Sequence, residues 1–423
     1  MKMEGMEAMQ RISRRRFIQG SSLLALGMHP WFAALAKDLG ERKLLLVGTG
    51  TSGRSTSKGV YTYAFDPKTG ELEQLALAAE SNSPTFMALS PDHKYLFTIN
   101  EAGFQGGSGG GVSSLAFDQK AQTLTPVNEV SSVGSGPAYV GVDHTGKCVF
   151  AANYGSGSAA SFHVGEGGRL SDAVSFFQYG DPAPPRPAGG QPPPAAQRPA
   201  AGQQPKRSHV HRATASPGNG YVLFNDLGLD MIHVYKLDAA TAKLTPADPP
   251  EWLSTPGAGP RGLRWHPNKK IAYCVNEKHP TVNVLNWDEK KGVLTTLQEV
   301  SLVPADYTAA PGKGCAPGDI VFDKQMQHGY VTSRLDDFMA TFKVEKDGKL
   351  TLMEHTTSGG IRERDCTLDP TDGWLLVANP DSNNIAVMKR DQTTGRLSQT
   401  VTTSVTIGSP MCLIFPERPN VAL

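Results

Sequence analysis

From residue 44 onward, short apolar runs alternate with turn segments, and the alternation repeats along the chain. Each unit reads as an apolar strand, a tight turn, a second apolar strand closing on a polar residue, a polar loop and a third strand. The turns SPDHK, HPNKK and DPTDG sit where hairpins need them. The second strand and its closing residue recur as YLFTIN at Asn100, CVFAAN at Asn153, YVLFN at Asn225, AYCVN at Asn276, GYVTS at Ser333 and LLVAN at Asn379. Successive anchors lie 46 to 57 residues apart, except for one step of 72. Several short strands within a period of roughly 40–50 residues predict the blades of a β-propeller. A string of independent domains is excluded, because no linker separates the units and each is too small to bury a core alone.

Six anchors give six blades. The two ends of the chain supply a seventh: LLLVGT and VYTYAF as middle strands and PMCLIF, near the C-terminus, as the inner one. The predicted fold class is therefore all-β, a seven-bladed β-propeller closed by N- and C-terminal strands, which pairs the sheet edges otherwise left open. Truncating from Pro410 onward should reopen such an edge.

Two segments fall outside the rhythm. Residues 1–36 hold Ser13-Arg14-Arg15-Arg16-Phe17-Ile18, then a short apolar run broken by His29 and Pro30, then Ala34-Leu35-Ala36. A twin-arginine pattern, a short apolar core and an A-x-A-like end form an export signal, too short to span a bilayer comfortably. The mature protein, residues 37–423, is expected in the periplasm or secreted, without stable membrane insertion. The second segment, 181–207, is DPAPPRPAGGQPPPAAQRPAAGQQPKR. Nothing in it is apolar and large enough to pack, so it reads as a disordered or polyproline-like insert. Replacing it with a short Gly-Ser loop should leave the melting temperature nearly unchanged, and a fall of many degrees would show that it packs on the ring.

Composition narrows the function. A net charge of +1 gives no field favouring nucleic acid. Five cysteines without a C-x-x-C pair argue against a zinc site or a disulfide framework. Cys148, Cys274, Cys366 and Cys412 fall within strands as small buried hydrophobes, while Cys315 lies in the loop GKGCAPG. The match of Gly48–Gly53 to G-x-G-x-x-G is followed by the alternating run SKGVYTYAF, where a dinucleotide site needs a helix. No cofactor and no metal are predicted.

The polar clusters carry the functional signal. They are Ser208-His209-Val210-His211, Asn225-Asp226 through Asp230, Gly259-Pro260-Arg261-Gly262, Asn276-Glu277, Asp319, Ser333-Arg334, Arg364 and Asn379. Residues just before an inner strand and just after a second strand lie at blade ends and can converge on one mouth of the central channel. Asn153, Asn379 and Asp226 read as structural ties. His211, Arg261, Glu277 and Arg334 together read as catalytic: such a set can polarise a carbonyl, stabilise an oxyanion and activate water.

These segments resemble the lactonase family of seven-bladed propellers, which includes a bacterial 6-phosphogluconolactonase and a fungal carboxymuconate cyclase. The likeness runs from VGTGTSGRSTSKGVYTYAFD to SPMCLIF and is most specific in SHVHRATASPGNGYVLFNDLGLDMIHVY, GPRGLRWHPNKKIAYCVNE and LLVANPDSNNIAVMKRD. It implies a site at His209 or His211, Arg261, Glu277 and Arg334, with His209, Asp319 and Arg364 as substrate-binding residues. The family's Gly-Pro-Arg-His ends in Gly262 here, its Ser-Asn-Arg has become Thr332-Ser333-Arg334, and a glutamate usual near Asp319 is shortened to aspartate. The expected partner is a small lactone or sugar acid, hydrolysed at the channel mouth. A muconate-type cyclase or isomerase and a non-catalytic binding propeller are the alternatives.

Overall fold

The computed structural model describes residues 39–104, 106, 107, 109–180, 206–309 and 314–418. The export signal and most of the insert lie outside them. Seven four-stranded antiparallel sheets follow one another. Blade 1 consists of Lys43–Thr49, Gly59–Phe65 and Leu72–Glu80, with Pro410–Ile414 added at its inner edge. Blades 2 to 7 begin with the inner strands Met87–Leu89, Pro137–Val142, Val210–Ala215, Pro260–Trp265, Pro317–Phe322 and Asp365–Leu368. All six polar anchors fall at or one residue before the end of second strands, as the repeat predicts.

Each turn between the first two strands of blades 2 to 7 contains one left-handed residue: His93, Gly146, Asn219, Lys269, Met326 and Asp372. Only one of these is glycine, so short hairpin geometry rather than residue identity sets the conformation. Apolar side chains of neighbouring sheets interdigitate around the ring. Tyr273, Val275 and Val284 of blade 5 pack against Ile320, Phe322 and Phe342 of blade 6. Leu413 and Phe415 from the closing end pack with Leu45 and Val47 and with Trp374 and Leu376 of blade 7. The last strand thus completes a blade and also fills the interface beside it.

Asn153 Nδ2 donates to the Ser132 carbonyl and Asn379 Nδ2 to the Ser358 carbonyl, both across blade boundaries. Asp226 instead works within its own blade, accepting from Ser208 Oγ, His209 N and Gly228 N. Four cysteines are buried and Cys315 is half-buried, its Sγ 3.2 Å from Ser333 Oγ. Burial pushes the Cys315 thiol up, which makes it a poor nucleophile.

Candidate active site at the channel mouth

Two local devices aim side chains at one end of the ring. The first is a bulge at the start of inner strands. Val210 pairs with Asp226 and Arg212 with Asn225, so His211 is the extra residue; Pro260 pairs with Asn276 and Gly262 with Val275, so Arg261 is. Bulges re-aim a side chain out of the pleat, and here they place His211 and Arg261. The second device is a hydrogen bond back from the residue that follows four of the six anchors. Glu101 N donates to Ser83 O, Tyr154 N to Gly136 O, Glu277 N to Gly259 O and Arg334 N to Ala316 O. Residues 101, 154, 277 and 334 therefore occupy one structural position in four blades.

Glu277 is the hub. Its Oε2 lies 3.0 Å from Arg261 Nε and 2.7 Å from Arg334 Nη2. Both contacts fall on Oε2, which leaves Oε1 for a water. Burial works to raise the Glu277 carboxyl, but the charges of Arg334 and Arg261 outweigh it and hold the group below its usual range. Arg261 Nη1 donates to the Gly318 carbonyl, while its buried Nε–H has no aligned acceptor despite the nearby carboxylate. A side chain on Gly318 would collide with Thr332 Oγ1, so glycine is needed where Arg261 makes that contact. His211 is buried, and burial followed by the fields of Arg261, Arg364 and Arg334 keeps its imidazole well below its ordinary pKa. It is neutral at neutral pH.

Tyr154 is a site residue that the sequence reading missed. Its ring stacks on His209 at 4.5 Å and meets the edge of His211 at 5.9 Å. Burial, then the Glu277 charge, raises its phenol, so it stays protonated. Arg364 precedes the inner strand of blade 7, and its N–H donates to the Ala378 carbonyl. Burial and Arg334 lower its pKa, while Glu101, Glu277 and Tyr154 favour the charge. Glu101 also accepts from Thr85 Oγ1 at 2.7 Å. Beneath Arg334, buried Glu363 accepts the Ser333 N–H at 2.7 Å, and burial raises its carboxyl to about 8.

Asp319 is engaged differently from the other predicted residues. Its Oδ2 takes Arg212 Nη1 at 2.9 Å and Arg264 Nη2 at 2.8 Å, forming a buried belt between blades 4, 5 and 6. A β-carbon on Gly262 would come within 3.1 Å of Asp319 Oδ1, so glycine at 262 and the short acidic side chain at 319 go together. Burial would raise the Asp319 carboxyl, but Arg212 and Arg264 hold it at about 2. A depressed folded-state pKa contributes stability above the unfolded value of about 3.9 and loses it as pH falls through the folded value. Asp319→Asn should therefore cost about 3–5 kcal/mol near neutral pH by stranding two buried guanidiniums. Urea unfolding midpoints should show that deficit shrinking as the pH drops from about 4 to about 2. An equal midpoint at neutral pH would remove the belt's structural role.

Among the described residues no cluster of three or more His, Cys, Asp or Glu could hold a metal ion. Three arginines, one doubly paired glutamate, a neutral histidine and a stacked tyrosine at the blade ends of a seven-bladed ring form a set that can take up a carbonyl or a carboxylate. The chain belongs to the lactonase family: residues 44–415 match the family described as "Lactonase, 7-bladed beta-propeller". It is 31% identical to a 6-phosphogluconolactonase of Bacillus subtilis, over 87% of this chain and 97% of the relative. Among solved structures, a Pseudomonas aeruginosa periplasmic gluconolactonase shares 29% identity with a TM-score of 0.78, covering 89% of this chain and all of the other. A putative 6-phosphogluconolactonase of Bacteroides fragilis shares 29% with a TM-score of 0.75, over 90% and 99% of the two chains.

Proposed function

We propose that the protein hydrolyses an unphosphorylated sugar-type lactone at the channel mouth, after export by the twin-arginine signal of residues 1–36. The observation that carries this reading is Glu277 Oε2 held between Arg261 and Arg334, with a buried Arg261 Nε–H left unaligned. In this reading the lactone carbonyl oxygen takes its hydrogen bonds from Arg261 and Arg334, which stabilise the oxyanion as water adds. Glu277 Oε1 orients that water, and neutral His211 is free to accept its proton. Ring opening returns the proton to the leaving ring oxygen and leaves a hydroxy acid, whose carboxylate faces the same arginines. Tyr154, His209 and Arg364 hold the rest of the sugar.

The family assignment supports lactone chemistry, and the likeness to the periplasmic gluconolactonase supports the unphosphorylated substrate. Among the described residues no helix is long and apolar enough to cross a membrane. A pH-stat screen of the mature protein against glucono-δ-lactone, other aldonolactones and 6-phosphogluconolactone tests the proposal. Turnover of the plain aldonolactones is expected. Turnover confined to the phosphorylated compound would overturn the substrate, and aldonate binding without any turnover would favour a binding propeller.

A further inference from the structure

Beneath the mouth, the other half of the channel forms a separate cavity of about 530 Å³. Its lining includes Arg212, Arg264, Asp365, Thr214, Thr367 and Tyr139, and none of His211, Arg261, Glu277, Arg334, Arg364 or Tyr154. At its inner end two guanidiniums converge on one carboxylate oxygen, Asp319 Oδ2. One ionised carboxylate does not neutralise both the buried Arg212 and the half-buried Arg264, and an uncompensated charge in such a place is costly.

Asp365 is the neighbouring acid, and its Oδ2 accepts the Leu413 N–H at 2.8 Å. It faces Asp319, Arg264 and Arg212, with the raised, uncharged thiols of Cys366 and Cys412 beside it. Burial, then repulsion from Asp319, lifts its carboxyl to about 6, so below that pH the belt keeps an extra positive charge. At the outer rim Arg418 pairs with Asp372, Asp143 accepts from Thr145, Cys148 and Asn219, His144 Nε2 lies 2.8 Å from the Ser216 carbonyl, and His93 completes the titratable groups of the lining. The two guanidiniums are fixed in place at the cavity wall: Arg212 lies over the Tyr139 ring, 4.4 Å from its centre, and Arg264 Nε donates to the Ile320 carbonyl at 3.2 Å. Water cannot offset a charge excess, whereas an oxyanion can, since guanidinium edges match its oxygens.

We propose that this lower cavity is a second binding site, for a small oxyanion of the carboxylate or sulfate type that bridges Arg212 and Arg264. It stands independently of the lactone reaction, because it uses no residue of the mouth.

Sulfate is a suitable probe because its own charge is constant across the range tested. Calorimetric titration of the full-length protein should show a sulfate site that survives Arg334→Ala. Arg264→Gln should weaken it about ten- to a hundredfold, the usual weight of a charged hydrogen bond. Affinity should also fall as the pH rises from about 5 to about 7 and Asp365 ionises, and the fall should persist in a His93→Asn, His144→Gln variant that removes the two rim histidines. Sulfate binding abolished by Arg334→Ala and untouched by Arg264→Gln overturns the proposal. Arg264→Lys, a milder change that keeps the charge but loses the planar fork, should also weaken sulfate while leaving lactone turnover alone, and it carries the solution test if Arg264→Gln does not fold. Crystals grown in selenate give a direct reading. An anomalous peak within hydrogen-bond distance of Arg212 and Arg264 is expected, and peaks at the mouth alone, or none, overturn the site.

Discussion

Arg334→Ala is expected to lower kcat on the best lactone by about a hundred- to a thousandfold, the usual cost of one preorganised oxyanion donor. The fold should survive, because Glu277 keeps Arg261 as a partner. Glu277→Gln should also lower kcat, but with a second consequence. It removes the carboxylate shared by Arg261 and Arg334, so about 2 kcal/mol of stability should go with it. That is less than a fully buried pair loses, since Glu277 retains about a fifth of its side-chain exposure. Turnover and calorimetric binding of the aldonate product, measured together, separate the roles. Glu277→Gln should still bind the product, and Arg334→Ala should bind it poorly. Unchanged turnover in both variants would sink the catalytic assignment.

The second large effect concerns closure. A chain ending at Ser409 should fail to fold. It loses the inner strand of blade 1, which pairs Leu46 with Ile414 and Val47 with Leu413. It also loses the buried side chains of Cys412, Leu413 and Phe415. At about 1.5–3 kcal/mol for each large apolar side chain, this alone approaches the net stability of an ordinary domain. An unpaired edge on Lys43–Thr49 would then favour aggregation. Soluble yield and circular dichroism would show it. A truncated protein melting at the wild-type temperature would mean that the ring does not depend on its last strand.

The blades were legible because a propeller writes its architecture into local periods: an apolar second strand, its closing Asn or Ser, and a turn. The mouth was legible to the extent that those closing residues mark one end of the ring, which led to Glu277 and Arg334. Tyr154 follows Asn153 just as Glu277 follows Asn276, so the repeat carried a signal for it, yet an aromatic after a strand passes for core. The bulges at His211 and Arg261 are properties of register between two strands and leave no mark in either alone. Asp319 grouped with the mouth in the sequence, but its partners come from Arg264 in the preceding blade and Arg212 one blade further back. Only the closed ring brings those side chains together.

The belt of Arg212, Asp319 and Arg264 also fixes which guanidiniums the proposed reaction can use. Arg212 and Arg264 are held on Asp319 and line the lower cavity, which none of His211, Arg261, Glu277, Arg334, Arg364 and Tyr154 does. In the proposed reaction a neutral lactone becomes an anion beside Arg261, Arg334 and Arg364, so product release, and not substrate arrival, is the step that those charges should slow.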